Sequence, residues 1–113
     1  ARGLAVIQAT SPLYARRSFW CIVTTIESVG LRATPYHAHV PSFGEWGYVI
    51  VSRDPYVPPE RYELELRYVA PEIHAAMFTF PRDMARVPAE VNRLNNQILV
   101  HYFEAEWRRA PAL

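Results

Sequence analysis

Apolar residues recur along this chain with two different periods. Leu4-Ala5-Val6-Ile7 is an unbroken apolar run closed by the polar Gln8, the pattern of a short buried strand. Ala9 to Pro12 then reads as a loop, with Ser11 just ahead of Pro12 suiting a helix start. Phe19, Ile22, Val23, Ile26 and Val29 fall at helical spacing, and Gly30 supplies a C-terminal stop. Period two follows: Thr34, Tyr36, Ala38 and Val40 alternate with more polar neighbours, predicting a strand over Arg32 to Val40. Trp46 to Ser52 is apolar at odd and even positions alike, as in a strand covered on both faces. Pro41-Ser42-Phe43-Gly44 between these two has the composition of a tight reversal.

A strand, helix and strand in this order predict two parallel strands joined by a right-handed crossover. The hairpin then returns a third strand antiparallel. The expected fold class is α/β: the end of an open, mostly parallel sheet closed by one reversed strand. Beyond it, Asp54 to Pro59 is a loop with three prolines. Leu64, Leu66 and Tyr68 alternate with charged residues and suggest a short extended piece. Pro71 opens a helix carrying Ile73 and Met77, with Phe80 at its margin and Pro81 ending it. A last helix is expected from near Pro88, with Val91, Leu94, Ile98, Tyr102 and Trp107 on one stripe and Arg108 and Arg109 favouring its dipole. The chain thus divides into an α/β part, residues 1–53, and a Pro-rich loop with a helical extension packing on it, residues 54–113.

At 113 residues, half of them hydrophobic, there is material for one small domain. A net charge of +1 argues against a nucleic-acid partner, which needs a concentrated basic face. The lone Cys21 sits inside the helical pattern, which excludes an internal disulfide, fits a reducing compartment, and reads as a small core residue rather than a nucleophile. No apolar run approaches the ~18–20 residues that span a bilayer. A chain that runs from Ala1-Arg2-Gly3 straight into a buried-type strand is expected to be the C-terminal part of a longer protein. Its first strand then lacks a neighbour, and self-association of the isolated chain is expected.

In open α/β sheets, ligands bind beyond the carboxyl ends of the parallel strands. Gln8 closes the first strand at that edge, and the reversal carrying Phe43 and Glu45 leaves the sheet on the same side. An amide, an aromatic face and a carboxylate on one crevice suit a small elongated cation. Plain roles compete with this reading: Gln8 as a strand end, Phe43 and Trp46 as packing residues of the turn, Glu45 as a solvated carboxylate. His37 and His39 stand two apart on one strand face without a third metal ligand, and His74 and His101 fall on helices, partly exposed. Neither a Ser-His-Asp ordering nor a Gly-rich phosphate loop is present, and Ser42 lacks the glycines of a nucleophile elbow.

The run Gln8-Ala9-Thr10-Ser11-Pro12, the hairpin Val40 to Tyr48, and Leu66-Arg67-Tyr68 followed by Ile73 to Phe78 with Pro81 resemble the C-terminal part of polyamine aminopropyltransferases, the spermidine synthases. Val91 to Gln97 through Glu106-Trp107 is more similar to the bacterial branch that carries an N-terminal membrane region. The resemblance implies a Rossmann-like, S-adenosylmethionine-methyltransferase-type sheet and transfer of an aminopropyl group from decarboxylated S-adenosylmethionine, a co-substrate rather than a cofactor, to putrescine or a similar amine. It implies a polyamine contact at Gln8 and, at Phe43, an apolar channel wall where soluble members carry a tyrosine. It further implies that the nucleotide loop, the ribose-binding acid and the catalytic aspartate precede this chain, which alone should be inactive. The implied setting is cytoplasmic with a membrane tether ahead of the chain, and a homo-oligomer is compatible with it. A methyltransferase fragment and a non-catalytic interaction domain, using the face from Val91 to Trp107, are the rival readings.

Overall fold

The computed structural model describes residues 3–58, 64–67 and 69–109. Its elements run β1 (Ala5–Gln8), α1 (Arg16–Ser28), β2 (Arg32–Val40), β3 (Gly44–Ser52), α2 (Pro71–Met77) and α3 (Ile98–Arg109). Strand order is β1-β3-β2, with β3 antiparallel to both neighbours. β1 and β2 do point the same way, as the crossover demands. They are not partners, however, and the described sheet is wholly antiparallel rather than mostly parallel. β3 takes the central place between them, and its two-sided apolarity is the reason: Val49, Ile50 and Ser52 are all buried.

The hairpin closes on Ser42 (φ 76°) and Gly44 (φ 82°), with the Phe43 amide donating to the Val40 carbonyl at 3.0 Å. Gly30 ends the approach from α1 at φ 83°, its amide on the Glu27 carbonyl at 3.0 Å. The helix starts later than Pro12 suggests. The Ser11 hydroxyl accepts from the Leu13 and Tyr14 amides at 3.2 Å each, a turn that delays regular helix to Arg16.

The core lies between α1 and one face of the sheet. Phe19, Trp20 and Val23 from the helix meet Val49 and Ala9, with Phe80 and Val87 packed at the margin. Cys21 is fully buried outside this cluster, its thiol donating to the Glu90 carbonyl at 3.3 Å, and burial pushes that thiol above its usual range. It therefore packs as the small apolar residue expected.

Residues 80–92 form a strap along α1 rather than the start of a helix. Arg16 donates to the Ala85 and Arg82 carbonyls, Trp20 to Met84, and the Asn92 amide to Thr25 Oγ1 at 2.9 Å. Asn96 Oδ1 then accepts from Arg93 and Ile98, and Asn92 Oδ1 from Leu99 at 3.0 Å. Two asparagines thus commit this stretch to capping, so the last helix opens at Ile98, ten residues after Pro88. Val91 and Leu94 leave the expected stripe, and Leu94 is 91% exposed. The extended piece does not form either: residues 64–67 carry no strand, and Tyr68 lies outside the described residues.

α3 is bolted to α1 from the far end of the chain. The Glu106 carboxylate accepts from the Arg17 and Ser18 amides at 2.7 and 2.9 Å and from the Ser18 hydroxyl at 2.6 Å. It fills the role of the missing N-cap of α1, where the positive end of the helix dipole favours an anion. Arg17 also lies over the Tyr102 ring at 4.4 Å.

β1 has no partner on its outer side among the described residues, and its apolar side chains are open: Leu4 and Val6 are each 60% exposed. An unprotected apolar edge templates further pairing. The isolated chain should self-associate in size-exclusion chromatography, and Val6→Lys should shift it toward monomer; a concentration-independent monomer for the unmodified chain would contradict this. At Gly47, an added Cβ would overlap the Phe19 ring and lie 2.7 Å from the Thr10 carbonyl. Gly47→Ala should accordingly cost about 2–3 kcal/mol of stability by overpacking, read from a lowered thermal midpoint; an unchanged midpoint would show that the contact is soft.

Candidate functional site

The tail of β1 and the hairpin tip meet at one end of the sheet because β3 holds both. Gln8 pairs in register with Tyr48, and the ladder continues past the strand end. The Ala9 amide donates to the Gly47 carbonyl at 2.9 Å and the Gly47 amide to the Thr10 carbonyl at 3.1 Å. From Gly47 the chain needs only three residues to reach the turn at Gly44. The loop after Gln8 and the reversal carrying Phe43 therefore share one rim, at the carboxyl ends of β1 and β2.

A cavity of about 470 Å³ opens at this rim, lined by Gln8, Ile22, Trp46, Phe103 and Glu104 among others. Its walls are largely apolar, with the Gln8 amide and the Glu104 carboxylate as polar points. Phe43 is 58% exposed on the turn and stands edge-on to Trp46 with ring centroids 6.4 Å apart. Trp46 in turn lies 6.2 Å from Trp107 of α3. The Trp46 indole nitrogen is buried without an acceptor among the described residues. Gln8 and Trp46 thus line one cavity, and Phe43, outside its lining, reaches that end of the sheet through its contact with Trp46.

Glu45 is not brought there. It has the parity of Gly47 and Val49, opposite to that of Gln8 and Trp46, and it does not line the cavity. Its carboxylate lies 2.8 Å from His37 Nδ1, and His37 Nε2 donates to the Thr79 carbonyl at 2.6 Å while the ring packs 4.8 Å from Phe80. With a carboxylate on one ring nitrogen and a carbonyl on the other, the pair binds the turn after α2 to the edge of β2. His39 is exposed, and no group of three or more His, Cys, Asp or Glu able to hold a metal occurs among the described residues. No helix of the described residues is long and apolar enough to cross a membrane.

Sequence reasoning missed α3 as a wall of this site. Glu104 and Phe103 line the cavity, and Trp107 reaches the rim by donating to Thr10 Oγ1 at 3.3 Å. The helical spacing of Phe103 and Trp107 signals a shared face, but nothing in that spacing says which part of the sheet the face meets. On the sheet face away from α1, which Gln8 and Trp46 share by parity, Tyr36 stacks on Tyr48 at 5.1 Å and Phe78 extends the row. Burial, with Tyr48 and Tyr56 nearby, holds the Tyr36 hydroxyl above its usual range, so it stays protonated.

An α/β unit of strand, helix and hairpin, its first strand unpaired on one side among the described residues and its rim closed by a C-terminal helix, is the class this geometry defines. No protein-family model matches the chain. Among curated proteins it is 50% identical over 107 residues to polyamine aminopropyltransferase 2 of Ralstonia nicotianae, covering 93% of this chain and 21% of that protein. It is 48% identical over 103 residues to the polyamine aminopropyltransferase of Leptospira interrogans, and 33% identical over 109 residues to polyamine aminopropyltransferase 1 of Streptomyces coelicolor. The chain is therefore a homologue of the C-terminal part of polyamine aminopropyltransferases, and it spans about a fifth of the length of these relatives.

Proposed function

We propose that this chain forms one half of the amine site of a polyamine aminopropyltransferase. The observation that carries the reading is the identity at half of 107 aligned positions with a protein of that name. The reaction moves the aminopropyl group of decarboxylated S-adenosylmethionine to putrescine or a similar amine. The amine lone pair attacks the methylene carbon next to the sulfonium, the carbon–sulfur bond breaks, methylthioadenosine leaves with the electron pair, and the new ammonium gives up its proton to a base. What such a step asks of this chain is orientation: the nucleophilic nitrogen must be held in line with that carbon.

Gln8 offers an amide oxygen to an amine N–H, and Phe43 with Trp46 offers an apolar wall along the methylenes of a diamine. The sheet fits the end of a Rossmann-like, methyltransferase-type domain, since β1 and β2 run the same way and the open edge of β1 can take a further strand. The earlier part of the polypeptide would supply that strand, the nucleotide site and the base, and in the membrane-bearing branch a tether as well. Glu45, committed to His37, is in this reading a brace for the hairpin rather than an amine ligand.

The test uses the full-length chain. It should release methylthioadenosine only when both decarboxylated S-adenosylmethionine and a diamine are present. Gln8→Ala should raise the diamine KM roughly fivefold, the worth of one hydrogen bond, with the KM for the sulfonium donor unchanged. Methyl transfer from ordinary S-adenosylmethionine, or a Gln8→Ala enzyme with an unaltered diamine KM, would contradict the reading.

A further inference from the structure

Two halves of the rim come from segments about thirty-five residues apart, and a third segment, near residue 107, touches both. The Trp107 indole N–H donates to Thr10 Oγ1 at 3.3 Å, on the loop that follows Gln8. Its ring lies 6.2 Å from Trp46, which stands against Phe43 at 6.4 Å on the hairpin side. Tyr14 and Phe103 hold the same ring from two further directions, at 6.2 and 5.9 Å. The neighbouring Glu106 fixes the end of α3 on the first turn of α1 through three hydrogen bonds, so Trp107 is presented from a rigid base.

We propose that Trp107 is a positioning residue for the amine, setting the spacing between Gln8 and the Phe43–Trp46 wall. This rests on the amine-site reading above. The physical reason is that the backbone ladder at Gly47 fixes where the two segments cross but not the tilt of the side chains beyond it. A rigid indole with one hydrogen bond to the first segment and one aromatic face to the second fixes that tilt. Its polar and apolar contacts are separable, so each half of the rim has its own variant. Trp107 thereby acts on the acceptor amine without lining the cavity itself.

The experiment measures diamine KM, donor KM and kcat in the full-length chain for Trp107→Phe, Thr10→Val, their combination, and Trp107→Ala. Trp107→Phe keeps the ring and removes the donor; it and Thr10→Val should each raise the diamine KM roughly fivefold, with the double variant no worse than either single one. Trp107→Ala should raise it further, by roughly twentyfold or more, because an aromatic contact is lost as well. Donor KM should stay constant throughout. A kcat loss with both KM values unchanged, or additive effects of Thr10→Val and Trp107→Phe, would assign Trp107 a purely structural role and overturn the inference alone. An unmodified full-length chain that transfers no aminopropyl group would remove the amine site itself and the inference with it.

Discussion

The close approach at Gly47 is the constraint from which the rest follows. Its amide and carbonyl are both taken by the segment after Gln8, and the Phe19 ring fills the space where a side chain would stand. Any Cβ there would force α1 off the sheet or break the ladder to Thr10. Because the glycine has none, helix, first strand and hairpin converge on a single residue of the central strand. That convergence puts the end of β1 and the turn at Gly44 on one lip.

From this crossing outward, the molecule is sewn together by polar contacts at long sequence separation. Arg16, Trp20, Cys21 and Thr25 hold the strap of residues 80–92 along α1, and Glu106 caps that helix from α3. Charge-assisted bonds of the Glu106 kind contribute about 1.5–3 kcal/mol each when sheltered from water. The extension beyond the sheet is thus part of the site's framework. The outer edge of β1 is apolar and has no strand partner among the described residues, the kind of edge that templates further pairing.

Much of this was legible in the chain. Helical spacing located α1, alternation located β2, two-sided apolarity marked β3 as a strand covered on both faces, and Gly30 and Gly44 sit where positive φ is needed. Strand order was not legible, since periodicity reports which faces are buried and is silent on which strands are neighbours. The late start of α3 was hidden because Pro88 and the apolar residues after it fit a helix. The side-chain bonds of Asn92 and Asn96, with the ties to α1, divert that stretch. For the site, Gln8 and Phe43 could be placed on one rim from topology. Glu45 could not be separated from them without the strand parity and its bond to His37, and Trp107 belongs to contacts that sequence spacing does not encode.

The most direct measurement is an experimental structure of the full-length chain with a diamine bound. The Gln8 side chain should lie within hydrogen-bonding distance of one amine nitrogen, and Phe43 or Trp46 should pack along the methylenes at about 4 Å, ordinary contact distance. A diamine held away from this lip, with Gln8 and the hairpin tip both solvent-facing, would contradict the placement of the amine between them.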